Sequence, residues 1–322
     1  MSTSRFLLVF LLVSIGTGVL RAQQRAQQTQ YMYHRLGYNP AVAGSKDQAQ
    51  LTAIYRQQWI GLEGGPGLQV GSFHAPLANQ RVGLGLNLVR HTVGIQQRLR
   101  VDAAYAYRVR LGDGHLGIGI QGSLDSWSAD WQDDRIRTTV SAEQDTQIPL
   151  EMQQMLLPNF GAGLYYHSAN SYFGVSAPRL LRNNLSFDET AGTVSREAPH
   201  LYFMAGTAFG LGEHVALRPQ LLIQYVPDAP PSADLNVSLL VAQTIILGTT
   251  YRTSSSPSGF RSSAVSGLVA AHLSSRLLFG VSYDYSLTAL QTYHNGSAEA
   301  VLQLNFGQTK DEVDEYINPR FF

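Results

Sequence analysis

The chain has 322 residues, no cysteine, and 23 basic and 23 acidic residues. The lack of cysteine excludes disulfide frameworks, thiolate zinc sites and a lipid-modified N-terminal cysteine, and the balanced charge offers no basic surface for nucleic acid. Only 14% of the residues are charged, whereas soluble domains usually carry about a quarter. This deficit is typical of a protein with much of its outer surface in lipid.

The first 22 residues have the pattern of a signal peptide. Arg5 precedes an apolar run from Phe6 to Ile15, small and apolar residues continue to Leu20, and Ala22 opens a polar stretch. We predict cleavage near Ala22; the alternative, a membrane anchor, would need about 18 apolar residues. The expected domains are therefore a signal peptide (1–22), a periplasmic N-terminal segment (23–46), a membrane domain (47–306) and a periplasmic C-terminal tail (307–322).

Alternating segments of about ten residues recur through the chain and predict strands with one apolar face. From Arg81, for example, apolar residues alternate with glycine and asparagine in RVGLGLNL. Strands are expected near residues 49–56, 67–74, 81–92, 99–110, 114–127, 158–167, 171–177, 200–211, 214–225, 234–241, 245–253, 264–272, 277–285 and 297–306. The predicted fold class is all-β, an outer-membrane antiparallel β-barrel of about fourteen strands.

The connections between the predicted strands are alternately short and long. Short turns of such barrels face the periplasm and long loops face outward, so the longest loops, 128–157 and 178–199, are expected at the cell surface. Tyrosine often ends the strands, as interfacial girdles require. These tyrosines are Tyr165, Tyr166, Tyr225, Tyr251, Tyr283 and Tyr285.

The polar faces of the predicted strands carry charged residues, which suits a barrel lumen better than the core of a soluble sandwich. The candidate lumen charge network consists of Asp102, Arg108, Arg110, Arg218, Asp284 and Glu299. Unpaired charges in a narrow lumen would be costly, so we expect opposite charges to pair and to close the lumen.

The residues with catalytic or metal-binding potential do not form a recognisable motif. Nine histidines occur singly, without ligand-like spacing or an HExxH unit, and no serine-hydrolase motif is present. Asp133, Asp134, Glu143 and Asp145 could form an acidic site, but a solvated loop explains them more simply. No helix follows the glycine-rich strands to bind a nucleotide. The sequence therefore predicts no catalytic residue, no cofactor and no metal.

Three segments differ from ordinary strand or loop sequence and are candidate partner-docking or structural elements. They are YMYHRLGYNPAVAGS near the N-terminus, YRQQWIGL at the end of the first strand, and the terminal INPRFF. The alternatives are a structured cap, an interface tryptophan, and a frayed terminus or barrel-assembly signal. The candidate residues are Tyr38, Asn39, Pro40, Gly44, Arg56, Gln57, Gln58, Trp59, Pro319, Arg320, Phe321 and Phe322.

Seven motifs occur in a fixed order between Tyr31 and Phe322. They are YNPAVAG, YRQQWIGLEGGP, SFHAPL, GLGLNL, YAYRVRLGDGHLGIGIQG, SYDYSL and INPRFF. In these motifs the chain resembles the PorP/SprF family of type IX secretion system membrane proteins from Bacteroidetes. The resemblance implies a non-enzymatic barrel in the outer membrane lipid that supports export or surface anchoring of cargo with a sorting C-terminal domain, such as gliding adhesins. It also implies contact with periplasmic components of the secretion or gliding machinery.

Two other functions remain open from the sequence. A fatty-acid-channel-like transporter of hydrophobic small molecules is one, because such proteins also have Asn-Pro-Ala turns near the N-terminus. A barrel enzyme such as a lipase is the other.

Overall fold

The computed structural model describes residues 27–77, 80–133, 135, 152–185, 197–227, 229–256 and 259–306. The expected signal peptide and the C-terminal tail lie outside these residues. The strands are β1 Ala49–Gln57, β2 Gly67–Leu77, β3 Val82–Val93, β4 Gln96–Leu111, β5 Gly114–Ala129, β6 Gln153–His167, β7 Ser171–Arg179, β8 His200–Thr207, β9 Phe209–Gly210, β10 Val215–Tyr225, β11 Ser232–Val241, β12 Ile245–Ser256, β13 Gly259–His272, β14 Leu277–Ser286 and β15 Ser297–Phe306.

These strands form one closed antiparallel barrel. β15 pairs with β1, which joins the two ends of the strand sequence, and β10 pairs with β11 to complete the wall. β8 and β9 both pair with β10 and occupy one place in the wall, so the fifteen strands make fourteen wall positions. The predicted fold class is confirmed.

The strands that border the long loops extend further than predicted. β5 ends at Ala129 rather than at 127, and β6 begins at Gln153 rather than at 158, because the two strands continue to pair with each other as far as Ala129 and Gln153. The predicted strand 200–211 is interrupted at Ala208, whose backbone N–H donates to Asn170 O instead of joining the ladder. The presence of each strand could be predicted from the alternating pattern, whereas the residue at which a strand ends depends on these local contacts.

The two edges of the barrel differ in their connections. One edge carries the start of β1, the end of β15 and six short turns. These turns are 78–81, 112–113, 168–170, 211–214, 242–244 and 273–276. The other carries 58–66, 94–95, 130–152, 180–199, 226–231, 257–258 and 287–296. Because short turns face the periplasm in this class of barrel, we name the first edge the periplasmic edge and the second the outer edge.

Side chains alternate between the lipid-facing surface and the lumen. Leu84, Leu86 and Leu88 are 46%, 50% and 49% exposed, while Asn87 between them is buried. Tyr225, Tyr251, Tyr283 and Tyr285 are exposed at the outer ends of their strands, as a girdle requires. Tyr165 is different, because it is 2% exposed and points into the lumen. Among the described residues, no helix is long and apolar enough to cross a membrane.

The N-terminal segment does not lie beneath the barrel, where the sequence placed it. Residues 28–44 lie inside the lumen, where all are buried except the half-buried Arg35. The hydrophobic core of the molecule forms between this segment and the inner wall. The expectation of a periplasmic segment was therefore wrong for these residues. Their apolar and aromatic side chains find a dry surface only inside the barrel.

Candidate functional site

We call residues 28–44 the plug. It contains three single-turn 3₁₀ helices, Tyr31–Tyr33, Arg35–Gly37 and Pro40–Val42. Its first residues contact the outer halves of β14 and β15, and its last residues contact the periplasmic ends of β2 and β3. The plug therefore runs down the length of the lumen before the chain enters β1 at the periplasmic edge.

The Asn39-Pro40 pair starts the last turn of the plug. The Asn39 side chain accepts a hydrogen bond from the Ala41 N–H at 2.9 Å and donates one to the wall carbonyl of Leu164 at 2.9 Å. Pro40 occupies the first position of the turn, where no N–H is needed. The backbone carbonyl of Tyr38 accepts a hydrogen bond from Ser176 of the wall at 2.7 Å. The predicted turn is thus a structural anchor of the plug.

Wall glycines form the seat of the plug. A Cβ atom added at Gly83 would overlap the carbonyl group of Ala43, and one added at Gly119 would overlap the Ala41 backbone. Only a residue without a side chain lets two backbones approach so closely. The alternating pattern of GLGLNL and GIGIQG by itself predicts only strand glycines. Their second function, to accommodate the plug, depends on contacts across the lumen.

A cluster of five charged side chains lies where the plug begins. We call it the clamp, and it consists of Arg56, Asp234, Arg252, Asp284 and Glu299. Arg56 is 2% exposed and donates to Asp284 at 2.6 Å and to Glu299 at 3.2 Å. Arg252 contacts Asp234 at 2.7 Å and lies 3.9 Å from Asp284. Opposite charges are therefore paired in the outer half of the lumen.

The clamp binds the first residues of the plug directly. The backbone N–H groups of Thr29 and Gln30 donate to the two carboxylate oxygens of Glu299 at 3.0 and 2.8 Å. The Thr29 hydroxyl donates to Asp284 at 2.7 Å, and Arg252 donates to the Gln28 carbonyl at 3.2 Å. The wall charges thus satisfy backbone groups that burial would otherwise leave without partners.

The remaining members of the predicted charge network are placed differently from the expectation. Asp102 contacts Arg100 on its own strand at 3.0 Å. Arg110 is exposed at the periplasmic edge, so it is not part of the buried network. Arg108 and Arg218 are buried near that edge, away from the clamp acids. The predicted acids Asp284 and Glu299 pair instead with Arg56 and Arg252, two arginines that were not grouped from the sequence.

The expectation for Arg56 included contact with a partner, but its burial inside the lumen favours the structural role. Its neighbours build the outer loop 58–66. Gln57 contacts the carbonyls of Gln58 and Gly65 at 3.4 Å each, and the Gln58 N–H donates to Pro66 O. Trp59 has a φ of 55° and stacks on His294 of the loop 287–296, with ring centroids 6.1 Å apart. Trp59 therefore joins two outer loops instead of facing lipid.

Gly44 ends the plug at a φ of 63° beside Gly83 and Pro76. This left-handed conformation favours glycine, and it turns the chain from the lumen toward β1. The last candidate residues, Pro319, Arg320, Phe321 and Phe322, lie outside the described residues. So do Asp134, Glu143 and Asp145 of the acidic loop.

A second ionic cluster anchors the loop between β7 and β8. Arg179 forms an ion pair with Glu197 and lies 3.8 Å from Asp125, and Arg98 lies 3.9 Å from Glu197. Burial alone would raise the pKa of Glu197, but the positive charges of Arg179 and Arg98 lower it by more than burial raises it. The pKa of Glu197 is therefore below its ordinary value. Glu197 is therefore ionised at neutral pH and holds the loop against the outer rim.

The histidines are less scattered than their sequence positions indicate. His115 and His167 are opposite each other on β5 and β6, and their rings stack with centroids 5.6 Å apart. Cross-strand neighbours have no fixed sequence spacing, so this pair was missed. Within the described ranges, no group of three or more histidine or acidic side chains is placed to hold a metal ion.

A family model described as "Type IX secretion system membrane protein PorP/SprF" matches residues 20–304. A search of the curated proteins gives no match.

Solved barrels share the fold at low identity. The CymD monoaromatic hydrocarbon channel is 10% identical with a TM-score of 0.52, over 91% of this chain and 95% of that chain. The Ralstonia pickettii toluene transporter TbuX is 10% identical with a TM-score of 0.49, over 85% and 94%. A Pseudomonas aeruginosa FadL homologue is 14% identical with a TM-score of 0.43, over 83% and 91%. The closed barrel, its apolar outer face and the family match together place the protein in the outer membrane.

Proposed function

The chain belongs to the PorP/SprF family of type IX secretion system membrane proteins, and from that premise we propose that it is a non-enzymatic platform that supports secretion or surface anchoring of cargo with a sorting C-terminal domain. The cargo contacts the outer loops, and the periplasmic edge contacts the secretion or gliding machinery. The barrel wall fixes both surfaces in the membrane.

The plugged lumen is the observation that carries this proposal. The plug is held by buried ionic contacts at one end and by wall glycines at the other. A folded polypeptide segment cannot pass through a lumen filled in this way. The function of the barrel therefore depends on its two edges rather than on conduction through its centre.

The outer edge offers a surface suited to a protein partner. The loops 58–66 and 287–296 are joined by hydrogen bonds from Ile60 N–H to Gly296 O at 2.9 Å and from Asn295 N–H to Ile60 O at 2.7 Å. On these loops Leu62 is 42% and Tyr293 is 72% exposed. Exposed apolar and aromatic residues beyond the lipid zone are typical of protein contact surfaces.

Site-specific photo-crosslinking tests the outer contact. A photoreactive residue at Tyr293 or Leu62, in the full chain in native membranes, should capture cargo during export. The matched control is Leu273, which is 62% exposed in a turn of the periplasmic edge, and should not capture exported cargo. Normal cargo display without any cargo adduct at Tyr293 or Leu62 would overturn the outer contact. Unchanged display after deletion of the gene would overturn the proposed function itself.

The tail after β15 supplies the periplasmic contact in this proposal. It ends in Pro319, Arg320, Phe321 and Phe322, and aromatic residues and arginine are enriched where binding energy concentrates. Removal of residues 318–322 should leave the folded barrel in the membrane but reduce its co-purification with periplasmic secretion components. Failure of the barrel to assemble would instead support an assembly signal.

The alternative of a hydrophobic-molecule transporter finds less support in the lumen. Its inner face carries buried charged residues such as Arg56, Arg100 and Arg179. A cavity of about 430 Å³ at the outer rim is lined mostly by polar and charged residues, among them Arg90, Asp130 and Asp133. Apolar ligands favour apolar pockets with few polar groups.

A further inference from the structure

We propose that the periplasmic mouth of the lumen is a binding site for carboxylates, and that its occupant is the acidic segment 311–315 of the same chain. By the mouth we mean the inner face near the periplasmic edge, around Lys46, His74, Arg108, His167 and Arg218. This inference does not depend on the proposed function, because it concerns a contact within the chain.

The charges of the lumen are segregated along its axis. The inward carboxylates Asp125, Asp234, Asp284 and Glu299 lie in the outer halves of their strands, next to the arginines that pair with them. Near the periplasmic edge the buried charged residues are basic. The carboxylates described at this edge, Asp47, Asp113 and Glu213, are exposed at the rim or in turns. The mouth therefore has excess positive charge on its inner face.

Arg108 is the clearest sign of a ligand. It is 5% exposed, yet its Nε and Nη2 atoms donate to no atom that the structure describes. A buried guanidinium normally has hydrogen-bond acceptors, because leaving its donors unsatisfied costs free energy. The planar donor group of arginine matches a carboxylate well. Arg108 is thus a buried cation with two unsatisfied donors, and a carboxylate docked against its guanidinium would offset the cost of burying that charge.

Other basic groups surround the same space. Arg108 and Lys46 both interact electrostatically with His74 and with His167, and Lys46 and Arg218 both interact with His272. These residues come from six different parts of the chain and lie close enough to interact electrostatically near the periplasmic edge. The positive charges of Lys46, Arg108 and Arg218 together attract anions and repel cations.

The acidic tail is suited to this mouth in charge and position. It follows β15, which ends at Phe306 on the periplasmic edge, and it carries Asp311, Glu312, Asp314 and Glu315. A fourteen-strand wall with usual strand spacing and tilt has a radius of about 14 Å. An extended chain from residue 307 to 315 spans up to about 30 Å. The acidic residues therefore reach the centre of the mouth from their own strand.

Docking of residues 311–315 would also fix the start of the terminal aromatic segment below the barrel. This contact would lie at the opposite end of the lumen from the clamp, which holds the first residues of the plug. An acidic segment of a periplasmic partner is the competing occupant, and the test must distinguish it from the tail.

Distance measurements between two spin labels test this contact in the full chain. The natural sequence has no cysteine, so labels at Val313→Cys and Asp113→Cys report one tail-to-edge distance and leave the four tail carboxylates in place. In purified barrels we expect a narrow distribution at or below about 25 Å, set by the radius of the mouth. Arg108→Gln should lower the ratio of docked to free tail about tenfold or more.

Two further variants make the result decisive. Asp314→Asn with Glu315→Gln changes only the tail, so its loss of docking cannot come from a misfolded barrel. Arg90→Gln removes an exposed arginine at the outer edge and should leave the distribution unchanged. A broad distribution in the unmodified background, or one insensitive to both Arg108→Gln and the tail variant, overturns the proposal. A distribution that narrows only after a periplasmic fraction is added assigns the mouth to a partner and also overturns it.

Discussion

Replacement of Arg56 by alanine should destabilise the barrel, because two buried carboxylates would lose the guanidinium group that they share. Arg56 is 2% exposed and contacts Asp284, Glu299 and the Thr29 hydroxyl at 2.6, 3.2 and 3.2 Å. Removing one partner of a buried ion pair costs about 3–5 kcal/mol, because the other charge stays buried without compensation. Arg56→Ala should therefore lower the free energy of unfolding by about this amount.

The contacts that Asp284 and Glu299 keep after Arg56→Ala decide which carboxylate accounts for most of the lost stability. Asp284 keeps Arg252 at 3.9 Å, whereas Glu299 keeps only backbone donors from Thr29 and Gln30 among its described contacts. Glu299→Gln in the Arg56→Ala background should therefore recover part of the loss, about 1–3 kcal/mol. Arg56→Lys retains the charge but loses the forked geometry, so its cost should be intermediate.

Reversible denaturant unfolding in lipid vesicles measures these differences, and the heat-modifiable gel band reports whether each variant assembles. Limited proteolysis of the plug gives a second readout, since a weakened clamp frees residues 28–30. A loss below about 1 kcal/mol for Arg56→Ala, with a protease-resistant plug, would refute the assignment of the clamp.

Three other perturbations give separate tests. Gly119→Val should push the plug from its seat and cost about 1–3 kcal/mol, while Gly122→Val, where an added Cβ meets nothing within 4 Å, should not; plug proteolysis compares the two, and equal sensitivity would reject the seat. The lowered pKa of Glu197 means that its contribution to stability is complete above the ordinary glutamate pKa of about 4.3 and is lost as the pH falls through the lower folded-state value. Loop cleavage by an acid-stable protease should therefore rise at low pH in the wild type, with little pH dependence in Glu197→Gln. An epitope inserted near Gln144 should bind antibody on intact cells, and detection only after permeabilisation would invert the assigned edges.

The barrel could be predicted from the sequence because its signal is local. Leu84, Leu86 and Leu88 alternate with smaller or polar residues, and a lipid-facing wall imposes this period on every strand. The short turns and the zero cysteine count point in the same direction. Strand ends were less certain, since residues such as Gln153 continue the ladder without contributing to the apolar pattern.

The plug and its contacts could not be predicted in the same way, because they depend on distant residues. Thr29 and Asp284 are 255 positions apart, and so are Gln50 and Asn305. The Asn39-Pro40 turn and the wall glycines were each identified, but alternation does not reveal that one rests on the other. Arg56 was singled out from the sequence, while its partners depend on which strands close the barrel.

A disulfide between plug and wall tests most directly whether the barrel acts as a platform with a closed lumen. An ideal Cβ at Gly85 lies 3.3 Å from the Ala43 Cβ, close to the 3.5–4.5 Å separation of disulfides, and the natural sequence contributes no competing cysteine. The platform predicts that the oxidised Ala43→Cys/Gly85→Cys variant displays as much cargo at the cell surface as the reduced variant and as Ala43→Cys alone. Loss of cargo display on oxidation, with recovery after reduction, would show that the plug must move and would contradict a platform with a permanently closed lumen.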